Sequence, residues 1–360
     1  MSTRRLTSTA PSKTAKANSN ALRVAVYHSN DDLRIEERPR PSIGAGELLM
    51  RVVASGVCGS DVMEWYRKPK APLVLGHEVA GTVEAVGDGV SDYKVGDRIA
   101  TTHHVPCNDC RYCRRGAHNV CESMHRTTFD PGGFSEYVRL PQVNVERGTF
   151  VLPDDLSFAD ATFVEPLACV LRGQRLAQVG RGDSVLVIGA GLSGILHLQA
   201  ARAQGARRTF AIDLHPQRIA AAKRFGADEA WAATESIEAQ LRAANEGRLA
   251  DRVIVCAGAL SALKQALQLV DHAGSLLVFA PVSPGETLPL DVNDLWKRGI
   301  TIVHSYAGPP DDMRLALDWI ASKRIDVGSM ITHRLPLDQT GEGFRLTAAG
   351  GDSLKVLIEP

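Results

Sequence analysis

The residues best suited to chemistry lie in one short stretch, CNDCRYC, followed by a further cysteine in RRGAHNVC. Together they supply Cys107, Cys110, Cys113 and Cys121, four of the seven cysteines in the 360-residue chain. Two-residue spacings let neighbouring thiolates face one ion, and the loop to Cys121 brings back a fourth ligand. Four thiolates close the shell of a zinc ion and leave no position for a substrate. The array therefore predicts a structural zinc site that folds a lobe without a core of its own.

Two other interpretations of this array remain open. Arg111, Arg114 and Arg115 lie among the cysteines, as they would in a zinc lobe that binds nucleic acid. An iron–sulfur cluster is chemically possible, although this spacing is not one of the common cluster patterns. The formal net charge of the chain is zero, which gives no general attraction to nucleic acid or to an anionic membrane. We expect neither nucleic acid nor a membrane as a partner.

A second set of possible metal ligands is spread over GVCGSDVMEW, LGHEVAGTVEAVGDGV and VEPLACVL. Cys58, His77, Glu78 and Glu165 offer sulfur, nitrogen and oxygen ligands of the kinds that zinc takes in catalytic sites. Each also has an ordinary explanation, as a small buried cysteine, a hydrogen-bonded core histidine or a carboxylate at a helix N-terminus. The spacing alone leaves both interpretations open.

The segment GAGLSG predicts a dinucleotide site, because its three glycines follow a buried-type strand, SVLVI, and precede a helical pattern. Such glycines permit a tight turn, close approach of the backbone to a pyrophosphate, and packing of helix on strand. Asp213 ends the next strand and would accept hydrogen bonds from the adenosine ribose, which favours NAD over NADP. A βαβ unit without a nucleotide is the alternative. The predicted cofactor-binding residues are Gly189, Gly191, Leu192, Ser193, Gly194, Asp213 and Arg218.

The elements that must hold these residues are of two kinds. Residues 22–170 contain short strand patterns separated by Gly, Pro and Asp, which predicts a β-rich, barrel-like domain. In residues 171–306 buried-type strands alternate with helical patterns, which predicts a parallel, doubly wound sheet. The closing residues 307–360 break that alternation, and we expect them to return to the first domain. The predicted fold class is α/β.

Residues 1–21 differ from the rest in composition. Ser, Thr, Ala and basic residues dominate residues 1–20, without an acidic residue or an apolar run. This is not the composition of a secretory signal; a weak transit peptide is an alternative, but we expect a disordered tail. Seven cysteines, most of them at metal-ligand spacings, favour a reducing compartment, so we predict a cytoplasmic location.

Taken together, GVCGSD, GHEVAGTVEAVGDGV, the four-cysteine lobe, VEPLA and GAGLSG resemble the zinc-dependent medium-chain alcohol dehydrogenases. The subgroup they resemble is that of the sorbitol (L-iditol) and L-threonine dehydrogenases, and the likeness continues to the closing GDSLKVLIEP. The resemblance implies a GroES-like catalytic domain formed from both chain ends, with a Rossmann domain between. It also implies one catalytic and one structural zinc ion, and a homotetramer or homodimer.

The resemblance also implies roles for individual residues. Ser60 matches the hydroxyl that passes on the substrate proton, and His104 matches a histidine that lines the site in threonine dehydrogenases. In such a site zinc acts as a Lewis acid on an alcohol oxygen while hydride passes from carbon to the nicotinamide. The residues that match the catalytic zinc ligands are Cys58, His77 and Glu78, with Glu165 as an alternating or water-bridged ligand.

Two residues depart from the pattern of the subgroup. Its motif usually reads C-G-S/T-D-V-H, and here Met63 stands in place of the histidine. Methionine cannot pass on a proton, so His104, a bound water or the ribose hydroxyls would have to serve. Glu64 follows where sorbitol dehydrogenases commonly have tyrosine, and we hypothesise that it faces the pocket and binds a cationic or hydroxyl-rich group. A solvated surface charge is the alternative for Glu64.

We therefore expect an NAD- and zinc-dependent enzyme that oxidises a secondary alcohol of a small molecule to a ketone. The expected substrate is a polyol, cyclitol or amino-cyclitol. Within the same family the alternative is an L-threonine 3-dehydrogenase, against which Met63 argues. From a different class, the alternative is a non-catalytic nucleotide-binding relative, which would have no need of intact Cys58, His77, Glu78 and Ser60 together.

Overall fold

The computed structural model describes residues 21–233 and 236–360. The expected tail therefore lies outside the described residues, except for Ala21, which begins the first strand. Among the described helices, none is both long and apolar enough to span a membrane.

The first part of the chain is rich in short strands and turns, as its Gly and Pro content predicts. Its helices are short, apart from one that leads into the next part. The strands are β1 (Ala21–Ser29), β2 (Asp32–Pro39), β3 (Leu48–Gly56), β4 (Leu73–Val74), β5 (Glu78–Val86), β6 (Arg98–Thr101), β7 (Tyr137–Leu140) and β8 (Thr149–Val151). The helices are α1 (Glu64–Arg67), α2 (Glu122–Arg126), α3 (Gln142–Gly148), α4 (Phe158–Ala161) and α5 (Val164–Leu176).

The middle part alternates strand and helix. Its strands are β9 (Ser184–Ile188), β10 (Arg208–Asp213), β11 (Glu229–Ala232), β12 (Ala250–Val255), β13 (Val270–Val278) and β14 (Thr301–His304). Its helices are α6 (Leu192–Ala203), α7 (Pro216–Arg224), α8 (Ile237–Ala244), α9 (Leu260–Leu269) and α10 (Val292–Arg298). The chain ends with α11 (Pro310–Ala321), β15 (Ile331–Pro336), α12 (Thr340–Ala349) and β16 (Lys355–Glu359).

The middle strands form one parallel sheet in the order β11-β10-β9-β12-β13-β14. Relative to the first of them this is the order 3-2-1-4-5-6 of a dinucleotide-binding doubly wound sheet. Every residue of β9 is buried, which is why SVLVI is a continuous apolar run rather than an alternating one. The predicted α/β class with a doubly wound sheet is confirmed.

The strands of the first part lie in two sheets. A small antiparallel sheet has the order β2-β1-β4, and a larger one has the order β15-β16-β3-β5-β6-β8, with β7 also pairing with β3. The last two strands of the chain thus extend the sheet of the first part. The domain boundaries at residues 170 and 306 stay predictions, and α5 runs across the first of them.

The return of the chain end also builds the first core. Phe344 of α12 is fully buried, and its ring centroid lies 5.8 Å from that of Tyr27 in β1 and 5.8 Å from that of Phe134. These rings belong to a cluster that includes residues of β1, β4 and β16. The first core therefore cannot be completed until the chain end has folded onto it.

Strand pairing also assembles the site. β3 lies between β5 and β16, so that Gly56 at the end of β3 pairs with Glu78 on one side and with Leu357 on the other. Cys58 follows Gly56 by two residues, and Lys355 begins β16. Residues from three distant parts of the sequence thus meet at one end of this sheet.

We predict that replacing Phe344 with alanine lowers the free energy of unfolding by about 3–5 kcal/mol, because it leaves a cavity between two other aromatic rings. The measurement is the urea unfolding midpoint. Leu315→Ala is the control, since that side chain is 41% exposed and its loss should change stability by no more than about 0.5 kcal/mol. Equal midpoints for the two variants would contradict the contribution of α12 to the first core.

Candidate active site and metal centres

The four cysteines of the lobe lie together as a complete thiolate set. Their sulfur atoms are all within 4.8 Å of one another. Cys110 and Cys113 are 3.5 Å apart, Cys107 and Cys121 3.6 Å, and Cys107 and Cys113 3.9 Å. Tetrahedral zinc with Zn–S bonds near 2.3 Å requires about 3.8 Å between sulfurs, so the set fits zinc. None of the seven cysteines is in a disulfide.

The lobe is held against the helix that carries Glu165. Arg172 lies on α5 and is 2% exposed, and its Nη2 donates to the side-chain oxygen of Asn119 in the lobe at 3.1 Å. Ala307 packs against the cysteine cluster from the segment that follows β14. The lobe is therefore docked on the elements around the second site, although its own thiolates hold no position open.

Cys58, His77 and Glu78 form the second compact group, with ligand atoms within 4.8 Å of one another. Glu78 is fully buried, and its Oε1 has no hydrogen-bond partner in the described part of the chain. A buried carboxylate oxygen without a partner is costly unless it meets a cation. One sulfur, one nitrogen and one carboxylate oxygen are a donor set that zinc takes in open catalytic sites, so these residues fit the predicted ion.

The other oxygen of Glu78 accepts a hydrogen bond from the ammonium group of Lys355, and both side chains are fully buried. Gly56 makes room for this ion pair, because a Cβ at that position would overlap Glu78 Oε2 and the end of Lys355. The ammonium nitrogen also lies 4.9 Å from the ring centroid of Phe163. Lys355 was not among the residues predicted from the sequence. The signal was a lysine at the start of the strand KVLIE, directly before three apolar residues.

The carboxylate of Asp61 lies between two of the possible metal ligands, Cys58 and His77. Its Oδ1 lies 3.4 Å from His77 Nδ1, and its Oδ2 accepts from the backbone N–H of Cys58 at 3.1 Å. Burial alone would raise the pKa of Asp61, but His77, Arg67 and that backbone N–H outweigh it and lower the pKa. The carboxylate stays ionised and leaves Nε2 of His77 for a metal, as carboxylates behind metal-binding histidines commonly do.

Glu165 lies beside this group and not within it. Its Oε1 is 3.5 Å from the thiol of Cys169, one helical turn further along α5. Burial raises the pKa of Glu165, and the nearby Glu78 adds to the rise while His77 opposes it. The structure thus brings together three of the four predicted catalytic-zinc ligands, with the fourth adjacent.

The hydroxyl of Ser60 meets an arginine that the sequence analysis missed. Arg67 donates from Nη2 to Ser60 Oγ at 3.0 Å and from Nε to the Ser60 carbonyl oxygen at 2.9 Å. Arg67 lies one helical turn after Met63, whose carbonyl oxygen accepts from the Arg67 N–H at 3.0 Å. The signal was the spacing: a residue four positions after Met63 lies on the same face of a helix.

His104 adjoins His103, and His103 in turn adjoins His77 of the second group. His104 Nδ1 is 3.0 Å from the Met124 carbonyl oxygen, and its Nε2 is 3.3 Å from the hydroxyl of Tyr306. Burial lowers the pKa of His104 to about 4, so the ring is neutral. The ring of His103 lies 3.7 Å from His104 and 4.6 Å from His77, and its buried Nδ1 has no partner among the described residues.

The structure favours the alternative interpretation of Glu64, a solvated surface charge. Its carboxylate pairs with Lys68 at 3.0 Å, one turn further along, and its side chain is 45% exposed. The i,i+4 spacing brings the two side chains together, with Lys68 directly after the end of α1. Glu64 therefore gives little support to a cationic substrate group, and so to an amino-cyclitol.

The glycine turn has the shape that a nucleotide requires. Gly189 follows β9 with φ +97°, a conformation that favours glycine, and a Cβ at Gly194 would overlap the Gly189 carbonyl oxygen. Gly191 caps α6, whose first residues are Leu192 and Ser193. The helix therefore begins at the turn with its N–H groups directed toward the space where a pyrophosphate would lie.

Asp213 and Arg218 complete this half of the site. Asp213 ends β10, is 7% exposed, and accepts from the backbone N–H groups of Ala190 at 2.7 Å and His215 at 2.9 Å. The guanidinium carbon of Arg218 lies 3.7 Å from where a Cβ of Gly191 would be, and its buried Nε has no described partner. The open cradle over Gly191 and this unpartnered donor fit a bound dinucleotide.

Known proteins share this arrangement over nearly the whole chain. Residues 44–151 match the family described as alcohol dehydrogenase GroES-like domain, and residues 194–322 match zinc-binding dehydrogenase. The sorbitol dehydrogenase of Homo sapiens is 32% identical over 96% of this chain and 97% of its own. That of Bacillus subtilis is 31% identical over 94% of this chain and 97% of its own. The chain belongs to the zinc-binding alcohol dehydrogenase family.

A solved structure agrees with this membership. A zinc-binding dehydrogenase from Sinorhizobium meliloti, determined with NADP bound, matches with a TM-score of 0.85 and 27% identity over 94% of this chain and 99% of that one. The protein is accordingly an alcohol or polyol dehydrogenase whose cofactors are zinc and NAD(P). The non-catalytic alternative is thereby set aside.

We predict that the purified dehydrogenase contains one zinc ion for each of the two ligand groups. Cys110→Ser should remove the lobe zinc alone, and His77→Ala should remove the other alone, because the two groups share no residue. Zinc per chain is measured by plasma mass spectrometry. Cys256→Ser, which lies in neither group, should keep the wild-type content. Full zinc content in His77→Ala would contradict the second site.

We further predict that Lys355→Met lowers the free energy of unfolding of the zinc-free dehydrogenase by about 3–5 kcal/mol, because it leaves the Glu78 carboxylate buried without a counter-charge. Urea unfolding in the presence of a chelator measures the change. The double variant Lys355→Met/Glu78→Gln should recover part of the loss. Lys297→Met, at an exposed position in α10, is the control. An unchanged midpoint for Lys355→Met would show that the ion pair does not stabilise the fold.

Proposed function

We propose that this dehydrogenase oxidises a secondary alcohol of a polyol or cyclitol to a ketone, with NAD as the hydride acceptor. The observation that carries the proposal is the compact group of Cys58, His77 and Glu78, with an unpartnered buried oxygen on Glu78. These three residues would hold the catalytic zinc, and Glu165 adds a further carboxylate beside them. When bound there, zinc supplies Lewis-acid polarisation of the alcohol oxygen.

The surrounding residues hold the ligand group in place. Asp61 orients His77 through its Nδ1 and Cys58 through its backbone N–H. Lys355 donates a hydrogen bond to one oxygen of Glu78, and the other oxygen has no partner among the described residues and would be available to the metal ion. Burial of all these charges strengthens their mutual interactions, so the geometry is set before a substrate arrives.

Ser60 is proposed to hold the substrate oxygen. A guanidinium group only donates hydrogen bonds, so the bond from Arg67 occupies a lone pair of Ser60 Oγ and leaves its own hydrogen for the substrate. The same property prevents a proton from leaving through Arg67. The proton must therefore depart by another group, and His104, water and the ribose hydroxyls remain the proposed routes.

Asp213 supports NAD as the cofactor, because a carboxylate at the end of the second strand favours ribose hydroxyls and repels a 2′-phosphate. Arg218 would interact with the phosphates from the far side of the glycine turn. The hydride would pass to the nicotinamide held between the two parts of the chain. The two relatives described above are named sorbitol dehydrogenases, which supports a polyol over L-threonine.

We also propose a homodimer or homotetramer that works in the cytoplasm. β14 is one of the two edge strands of the parallel sheet, and an unpaired edge is a template for a second copy of the chain. Nearby residues expose large apolar side chains, and these are Leu290, Val292 and Trp296. Seven unpaired cysteines support a reducing compartment.

We predict that the wild-type enzyme reduces NAD, and NADP less well, with members of a panel of polyols, inositols and L-threonine. Cys58→Ala should fall to the assay background, and Ser60→Ala should lose about 100-fold or more in kcat, since a hydrogen bond to the negative charge that develops on the substrate oxygen contributes that much. NADH absorbance is the measurement. Ser91→Ala, an exposed serine, is the control. Full turnover by Cys58→Ala, or oxidation of L-threonine alone, would overturn the proposal.

A further inference from the structure

The segment between Ser60 and the cis peptide before Pro72 brings two cations to the second site. Arg67 is 12% exposed and touches the Ser60 hydroxyl directly. Its Nη1 has no hydrogen-bond partner in the described ranges. Lys70 follows three residues later, with its ammonium nitrogen 3.8 Å from the ring centroid of Tyr66. Both cations thus lie on the side of the segment that carries Tyr66.

Tyr66 joins these cations to the wall of the cleft. The guanidinium carbon of Arg67 lies 4.7 Å from the centroid of the same ring. Burial raises the pKa of Tyr66, but Lys70, the Tyr306 hydroxyl and Arg67 outweigh burial and lower it. A phenol whose ionised form is favoured in this way reports a positive local potential. Tyr306 continues the wall to His104, which its hydroxyl meets at 3.3 Å.

These positive charges are only partly balanced. Asp61 is 3.4 Å from Arg67, but the same oxygen faces His77 at 3.4 Å. Glu64 forms an ion pair with Lys68, and both side chains are exposed. Within residues 21–233 and 236–360 no carboxylate lies at ion-pair distance from Lys70. A neutral ligand would not balance this positive charge, whereas an anionic group would.

We propose that Arg67, Lys70 and Tyr66 form a subsite for an anionic group of the substrate, a phosphate ester or a carboxylate, next to the Ser60 hydroxyl. The inference rests on the proposed function and narrows its substrate class to hydroxylated compounds that carry such a group. Planar guanidinium groups bind both anions through paired N–H donors, and the mobile ammonium group of Lys70 adds a point charge. The unpartnered Nδ1 of His103 would meet a hydroxyl of the same substrate.

The test compares sorbitol, sorbitol 6-phosphate and gluconate as ligands of the zinc-loaded enzyme with NADH bound. Affinity is measured by isothermal titration calorimetry. We expect at least one of the two anions to bind about tenfold or more tightly than sorbitol, since a hydrogen bond to a charged group contributes that much. The preference should weaken in high salt. The tighter of the two anions identifies the group.

Variants separate the subsite from the general charge of the protein. Arg67→Gln and Lys70→Gln should each reduce the anion preference at least threefold. Lys68→Gln is the matched control, because it removes a neighbouring positive charge that faces Glu64, and it should keep the preference. Lys70 is exposed, so its variant should melt at the wild-type temperature even if Arg67→Gln does not.

Equal affinity for sorbitol and both anions would overturn the subsite, and so would a preference that survives unchanged in Lys70→Gln and Arg67→Gln. NADH formation from the same three compounds is followed separately with NAD. Tight anion binding without oxidation of any alcohol in the panel would count against the proposed function and leave the subsite standing. Oxidation of sorbitol with no anion preference would do the reverse.

Discussion

The buried ion pair of Lys355 and Glu78 is the constraint around which the rest of this dehydrogenase is arranged. Two fully buried charges are tolerable only when each compensates the other, and these two lie 277 residues apart in sequence. The last strand must therefore return to the first part of the chain and pair with β3. That pairing also brings Cys58 to Glu78 and leaves one carboxylate oxygen turned to the ligand group. A chain that failed to close would bury Glu78 without a partner.

The two ligand groups differ in the number of protein ligands that they offer to a metal ion. The lobe has four thiolates and needs nothing further, whereas Cys58, His77 and Glu78 leave an ion incompletely coordinated. The lobe is nevertheless connected to the elements around the second group through Arg172, which ties Asn119 to α5. α5 carries Glu165 and Cys169 on the face toward the second site, so the lobe and the reacting centre share one rigid element.

The charges around the second site differ from those that the resemblance implies. With methionine at position 63, no imidazole lies at the place from which the subgroup usually passes on a proton. The guanidinium of Arg67, one turn later, instead holds Ser60 and shares Asp61 with His77. The site thereby exchanges a group that can give up a proton for a permanent cation. Arg67 therefore places a permanent positive charge beside the hydroxyl of Ser60.

The sequence by itself determined the α/β class, the doubly wound sheet, the glycine turn and the four-cysteine lobe, because each depends on spacing within a short segment. It also supplied the candidates Cys58, His77 and Glu78, and the resemblance joined them. Only the tertiary structure decided that Lys355 pairs with Glu78, that His103 and not His104 adjoins His77, and that Glu64 pairs with Lys68. Those outcomes depend on strand pairing across hundreds of residues and on which face of a one-turn helix is covered. Residue type and local spacing suggest candidates for such contacts but do not determine which of them form.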